Sequence, residues 1–282
     1  MRVKNRWGIL MMVIVVGVII IKSLNIAGAA AIADAAYSAE AASSHTQLRQ
    51  LLAASEDLIQ GSRQATVKWQ GEWHAALSLE AAAELLADRL GLADRYTEKV
   101  HGNQVFYAEG VFGEAEDVHG KLVLMLQEEG IYYVVLRLEN STDEGLQRLP
   151  EIGESWGEAL LGEGVRAKWN AALQGEAAEF VNAPEWPDFG QDDSAGAGEA
   201  DPMSALAAFA KLESRMKEQL KLQAAESFAD VRTVSRTYAA EDLPIKAESA
   251  GQEISLQLAL HWNTESDRYD VSIGSPLLTV EY

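Results

Sequence analysis

Cysteine is absent from this 282-residue chain. That excludes disulfides, thiol nucleophiles and cysteine-ligated zinc or iron–sulfur centres, and it leaves packing to hold the fold. Bases are scarce: 23 Lys and Arg stand against 43 Asp and Glu, a formal charge of −20. Four of those bases, Arg2, Lys4, Arg6 and Lys22, crowd the start of the chain, so the remainder is more acidic still. Such a body repels phosphate backbones and anionic lipid heads, which counts against nucleic acid and against direct adhesion to a membrane surface. Histidines number five, His45, His74, His101, His119 and His261, and none falls in a His-Glu-x-x-His or comparable ligand spacing. The serines are read as lying outside any nucleophile elbow, and no phosphate-cradling glycine loop stands out. Catalytic, cofactor-binding and metal-binding residues are therefore each assigned as none.

Long apolar runs are also missing, with one exception. Behind Arg2, Lys4 and Arg6 comes an uncharged stretch from Trp7 to Ile21, followed by Lys22 and small residues through Ala29. A basic start, an apolar middle and a small-residue exit make an export segment, with the basic end kept inside and everything after it sent outward. The stretch suits a cleaved signal, and it suits a retained anchor if Lys22 snorkels to the interface. Residues 1–33 are accordingly a signal peptide or a transmembrane anchor helix, and the body is extracytoplasmic, on the membrane or secreted.

What is present is a duplicated order. An Ala/Ser-rich linker and an amphipathic helix occupy 34–62, with Leu48, Leu51, Leu52, Ser55, Leu58 and Ile59 on one stripe and Gly61 as its stop. Lys68-Trp69 then lies in a strand, Ser78 caps a helix that Gly91 ends, and four strands follow at 95–101, 104–112, 120–127 and 131–139. Thr142 caps a connecting helix in which Pro150 is expected to make a break or kink. Lys168-Trp169 opens the second pass, at 165–174. A segment from Gly175 to Asp201 without Lys or Arg reads as a disordered acidic insert, and Asp201-Pro202 starts a long helix. Four more strands are placed at 231–238, 243–248, 253–263 and 268–280. The expectation is an α+β fold of two repeats, 63–164 and 165–282, forming one antiparallel sheet with helices on one face.

The ending, Gly274-Ser275-Pro276, apolar residues and then Glu281-Tyr282, together with the export segment and the Lys68-Trp69 strand, resembles the YwmB family. Those are exported proteins of Gram-positive, spore-forming bacteria labelled TATA-box-binding-like. The resemblance implies a duplicated TATA-binding-protein-like repeat with a curved sheet and an extracytoplasmic address, and it carries over no catalytic residue. The insert at 175–201 departs from the family pattern.

The label invites a nucleic-acid reading, which the chemistry opposes. A groove binder needs cations on its contact face, whereas the wet side of 253–263 offers Ser255, Gln257, Ala259 and His261, joined by Asp270 and Ser272. Asp188, Asp192, Asp193, Glu199 and Asp201 supply oxygen ligands for calcium but lack EF-hand spacing, so they read as a solvated linker. Trp69, Trp73, Trp156, Trp169 and Trp262 fall on core positions. Trp186, between Pro184 and Pro187 with Phe189 nearby, reads either as a partner anchor or as a cover for the protein's own surface. The expectation is an exported, membrane-associated binding protein whose partner is an envelope protein or a wall component, without cofactor. An envelope enzyme is the alternative, and nucleic-acid binding ranks below it.

Overall fold

The computed structural model describes residues 27–113, 117–140, 142–182 and 202–278. The export run Trp7–Ile21 lies outside them, and among the described residues no helix is long and apolar enough to cross a membrane. In order, the elements are α1 (Ala27–Ser55), β1 (Ile59–His74), α2 (Leu79–Leu90), β2 (Asp94–Val100), β3 (Asn103–Phe112), β4 (Val118–Glu128), β5 (Ile131–Asn140) and α3 (Asp143–Gly162). They continue with β6 (Arg166–Ala177), α4 (Glu179–Asn182), α5 (Pro202–Gln219), β7 (Leu222–Ala229), β8 (Thr233–Ala240), β9 (Ala247–Ser249), β10 (Gln252–Ile254), β11 (Leu256–Asn263) and β12 (Arg268–Ser275).

Ten strands form one antiparallel sheet, in the order β2-β3-β4-β5-β1-β6-β12-β11-β8-β7. At its centre Trp69 pairs with Trp169, Lys68 with Asn170 and Gln70 with Lys168. The two Lys-Trp steps thus meet at the middle, and from there a first strand is followed outward by four more on either side. The chain is an α+β protein with a large antiparallel sheet.

Side chains alternate across each strand, so the register sorts the sheet into two faces. One face carries Val67, Trp69 and Trp73 of β1, Leu136 and Leu138 of β5, Leu122 and Leu124 of β4, Trp169 and Leu173 of β6, and Val271 and Ile273 of β12, all buried. The helices pack there. Ser78 accepts a hydrogen bond from the Ala81 amide to start α2, and Gly91 ends it in the left-handed region at φ 68°. Thr142 caps α3 through the Gly145 amide at 3.0 Å. A lane of glycines then lets α3 lie close to the sheet. A Cβ on Gly157 would come within 2.4 Å of the Trp69 ring, and the Trp69 indole donates to the Gly153 carbonyl at 2.9 Å. Trp73 donates likewise to the Glu163 carbonyl at 2.8 Å.

No helix follows β12 among the described residues, and α1 covers the second half instead. It packs against β6, α3 and α5 through Leu48, Leu51 and Leu52. Gln47, fully buried, fastens it: its amide donates to the Ile245 carbonyl at 3.1 Å and to Ser275 Oγ at 2.7 Å, while its carbonyl accepts from the Ile245 amide at 2.6 Å. Ser275 passes the chain of bonds to the Ser255 carbonyl.

Several sequence expectations are corrected. The helix ends at Ser55 rather than running to Gly61. Leu58 and Ile59 have helical spacing but are buried at the entry of β1, where Ile59 pairs with Ala177, and Gly61 sits at a bulge with φ 70°. Pro150 does not end α3; sheet packing of Leu146, Leu149 and Trp156 on both sides of it holds the helix through the missing amide bond. The supposed disorder from Gly175 is not seen at its start, since β6 runs to Ala177 and α4 follows, while 183–201 lie outside the described residues. Residues 243–246 form a loop rather than a strand; Leu243 and Ile245 are buried there, and Gln47 of α1 bonds Ile245. The fifth strand of the second half is β7, an exposed edge strand with no buried stripe to announce it. The run from Glu253 breaks at Ser255, whose hydroxyl bonds the Ala240 amide at 2.8 Å.

Candidate functional site

The sheet face opposite the helices has no element of the described fold laid across its first half, and it is the candidate binding surface. Register places Glu109, Lys121, Arg137 and Lys68 side by side across β3, β4, β5 and β1, with Asn170 of β6 next. Two residues along, Tyr96, Tyr107, Val123, Val135, Gln70 and Lys168 form a parallel row across β2 to β6. A third row holds Val105, Met125, Tyr133, Glu72 and Arg166.

The charges on this face are knitted together. Glu109 accepts from Lys121 at 2.7 Å and from the Tyr96 hydroxyl at 2.9 Å, and these bonds hold its carboxyl below the usual carboxylate range. Burial pulls the Lys121 ammonium down, but Glu109 beside it more than compensates, so it stays charged. The same ammonium lies 5.0 Å from the Tyr107 ring centroid, and Tyr107 stacks on Tyr96 at 4.9 Å. Arg137 bonds Glu139 at 2.5 Å, and Thr66 donates to that carboxylate at 3.0 Å. Lys168 and Arg166 are exposed.

The second half of this face is partly roofed. Beyond β12 the chain turns back over it: Asn170 donates to the Leu277 carbonyl at 2.6 Å, and the Leu278 amide donates to Gln257 at 3.1 Å. A Cβ on Gly274 would overlap Leu278, at 2.4 Å from its nitrogen. Of the residues assigned to the wet side, Ser255 and Ala259 are therefore buried, Gln257, Asp270 and Ser272 are half-buried, and His261 is exposed and bonded to Thr233. The wet side of 253–263 is polar, as read, but the first half of the same face carries cations among its carboxylates. Lys68, Lys121, Arg137, Lys168 and Arg166 share it, and only strand pairing could reveal that.

The histidines are dispersed. His45 on α1 bonds Glu154 of α3 at 2.8 Å, His74 ends β1, His101 takes a turn at φ 51°, and His119 and His261 stand on β4 and β11. Among the described residues no group of three or more His, Asp or Glu is placed to hold a metal ion. Asp188, Asp192, Asp193, Glu199, Asp201 and Trp186 lie outside the described residues. One serine does have elbow spacing, contrary to the expectation above: Gly153-Glu154-Ser155-Trp156-Gly157. It lies within α3 instead of at a strand-to-helix turn, Ser155 is exposed, and no hydrogen bond joins it to His45.

On the helix side, Glu213 of α5 is held by Arg236 and Lys217, each at 2.8 Å, above the fully buried Tyr238. Burial pushes the Glu213 carboxyl up, but its ion pairs with Lys217 and Arg236 outweigh that and leave it below its ordinary value. Burial and the nearby Glu213 carboxylate drive the Tyr238 phenol far above its own. These groups bind α5 to β8.

No protein-family model matches the chain, and no curated protein sequence does. Among solved structures, the di-domain ARO/CYC BexL from the BE-7585A biosynthetic pathway aligns at 10% identity over 75% of this chain and 85% of its own, with a TM-score of 0.22. The di-domain ARO/CYC StfQ from the steffimycin pathway aligns at 9% over 74% and 83%, with a TM-score of 0.19. The Mycobacterium avium subs paratuberculosis tesB protein MAP1729c aligns at 13% over 81% and 98%, with a TM-score of 0.17. At such scores these likenesses carry no argument about chemistry.

Proposed function

We propose that this chain is an exported, membrane-associated protein of the cell envelope that acts by noncovalent binding, built as a duplicated TATA-binding-protein-like repeat of the YwmB kind. The observation that carries the binding reading is the open sheet face: half-buried apolar and charged side chains lie in continuous rows there, with no helix of the described residues over them. The duplication draws support from the mirrored strand order about Trp69 and Trp169. The envelope address draws support from the basic start and the uncharged run Trp7–Ile21. The partner is an envelope protein or wall component; a net charge of −20 opposes nucleic acid.

A reporter active only outside the cytoplasm, fused after Tyr282, tests the address, and a silent fusion refutes it. A photocrosslinking residue placed in living cells at Val123 on the open face, or at exposed Glu84 on α2, tests the binding. Capture from neither position refutes the reading.

A further inference from the structure

We propose that the charge pattern of β2 closes this edge of the sheet to a second copy of the chain, so that two copies do not join their sheets edge to edge. The proposal stands apart from the binding reading above. Among the described residues β2 is bonded to β3 alone, at one end of the ten-stranded sheet, and all seven of its residues are exposed. A strand so placed offers its outward amides and carbonyls to any strand that approaches. The opposite edge, β7, is interrupted by a bulge between Ala224 and Ser227, which spoils its fit to a straight partner. β2 has no such interruption, since its register against β3 runs unbroken from Asp94 to Val100. Its protection lies in the side chains.

Every strand pair in this sheet is antiparallel. A second copy that continued the sheet in the same way, β2 against β2, would be related to the first by a two-fold axis normal to the sheet. Such an axis keeps each residue on its own face. Residues set opposite one another therefore come from one alternate set, either Asp94, Tyr96, Glu98 and Val100 on the open face or Arg95, Thr97 and Lys99 on the helix side. The axis must then pass through a residue, and only Tyr96, Thr97 and Glu98 give an overlap of five or more of the seven.

Each of the three sets like charges against each other. Centred on Thr97, the full-length register, Arg95 meets Lys99 twice. Centred on Tyr96, Asp94 meets Glu98 twice. Centred on Glu98, that carboxylate meets its own copy. Like charges directly opposite oppose pairing. Opposite signs are present too, in Asp94 with Lys99 and in Arg95 with Glu98, but the members of each pair stand on different faces and no two-fold register brings them together. Arg95 is held at the edge by Asp88 at 2.5 Å and by the Leu92 carbonyl at 3.0 Å, so it does not swing away from an incoming strand.

The chain has no cysteine, which lets a single Thr97→Cys report the longest register. In that register the two introduced residues have Cα atoms about 4.5–5.5 Å apart, within reach of a disulfide. The full-length chain in neutral detergent micelles is oxidised with copper–phenanthroline and the linked dimer is measured on a non-reducing gel. Thr97→Cys alone should link no more than Glu84→Cys on exposed α2. Adding Lys99→Glu sets a carboxylate against Arg95 at both ends and should raise the yield about fivefold or more. Adding Arg95→Glu in place of Lys99→Glu should raise it likewise, from the other side of the same pair. Both reversals together restore like charges and should return the yield to that of Thr97→Cys alone. Linking of Thr97→Cys as strong as that of the reversed chains, no rise with either single reversal, or a double reversal that links as well as the singles overturns the proposal.

Discussion

Gly157→Ala should destabilise this protein, although alanine normally improves a helix. In an open helical position the exchange gains roughly 1 kcal/mol. At Gly157 the new methyl would stand 2.4 Å from Cζ2 and 2.6 Å from Cε2 of Trp69. Carbon atoms sit comfortably at about 3.5–4.0 Å, so ring or helix must shift by more than about 1 Å. The ring has little freedom, being fully buried and tied to the Gly153 carbonyl at 2.9 Å. Overpacking of this kind costs about 1–3 kcal/mol, and weakening the indole bond adds roughly 1 kcal/mol. A net loss of about 1–3 kcal/mol follows. Gly162→Ala, in the same helix with nothing within 4 Å of its Cβ position, should instead gain up to about 1 kcal/mol. Urea unfolding followed by far-UV circular dichroism measures both. In a Trp69→Leu background the penalty at Gly157 should vanish, a coupling above about 1 kcal/mol. A Gly157→Ala protein as stable as its parent, or no coupling to Trp69→Leu, would refute the packing argument.

Gln47→Ala should cost about 2–3 kcal/mol, because it strands the buried Ile245 amide; amide exchange should quicken around Ile245 and Ser255 while β3 and β4 stay protected. Asn140→Ala should cost about 1–3 kcal/mol by the same melt, since Asn140 accepts from the Ala65 amide at 2.6 Å and donates to the Arg63 and Thr142 carbonyls. Glu213 has a depressed carboxyl, so its stabilising contribution is present above the unfolded value of about 4.3 and is lost as the pH falls through the lower folded value. Glu213→Gln should therefore be less stable at neutral pH and should lose less between about pH 4.5 and 3; parallel pH profiles would count against it.

The first half was legible because each of its elements writes its environment into the sequence. Ser78, Gly91 and Thr142 are local capping signals, and β4 and β5 alternate strictly because one face is buried. The second half misleads where burial comes from distant elements. Ile245 is apolar because a helix some 200 positions earlier covers it, and Leu58 keeps helical spacing while serving a strand. β7 stayed hidden because an edge strand has no inward stripe. The binding surface was illegible for a related reason: Lys68, Lys121 and Arg137 are far apart in the chain, and only register makes them neighbours. Conversely, Gly153 to Gly157 shows a catalytic spacing that is an accident of helix packing.

Although the strand order reads the same outward from the middle, the molecule does not divide evenly. Because α1 is joined to the front of one half and shelters part of the other, a cut near residue 165 would yield a leading fragment whose first helix keeps α3 but loses β6 and α5, and a trailing fragment with β6 stripped of its neighbour β1. Each piece exposes a surface that only the other covers, so the pair should regain its full structure only when mixed, and the Gln47 bonds to Ile245 and Ser275 form only once the last strand has been made.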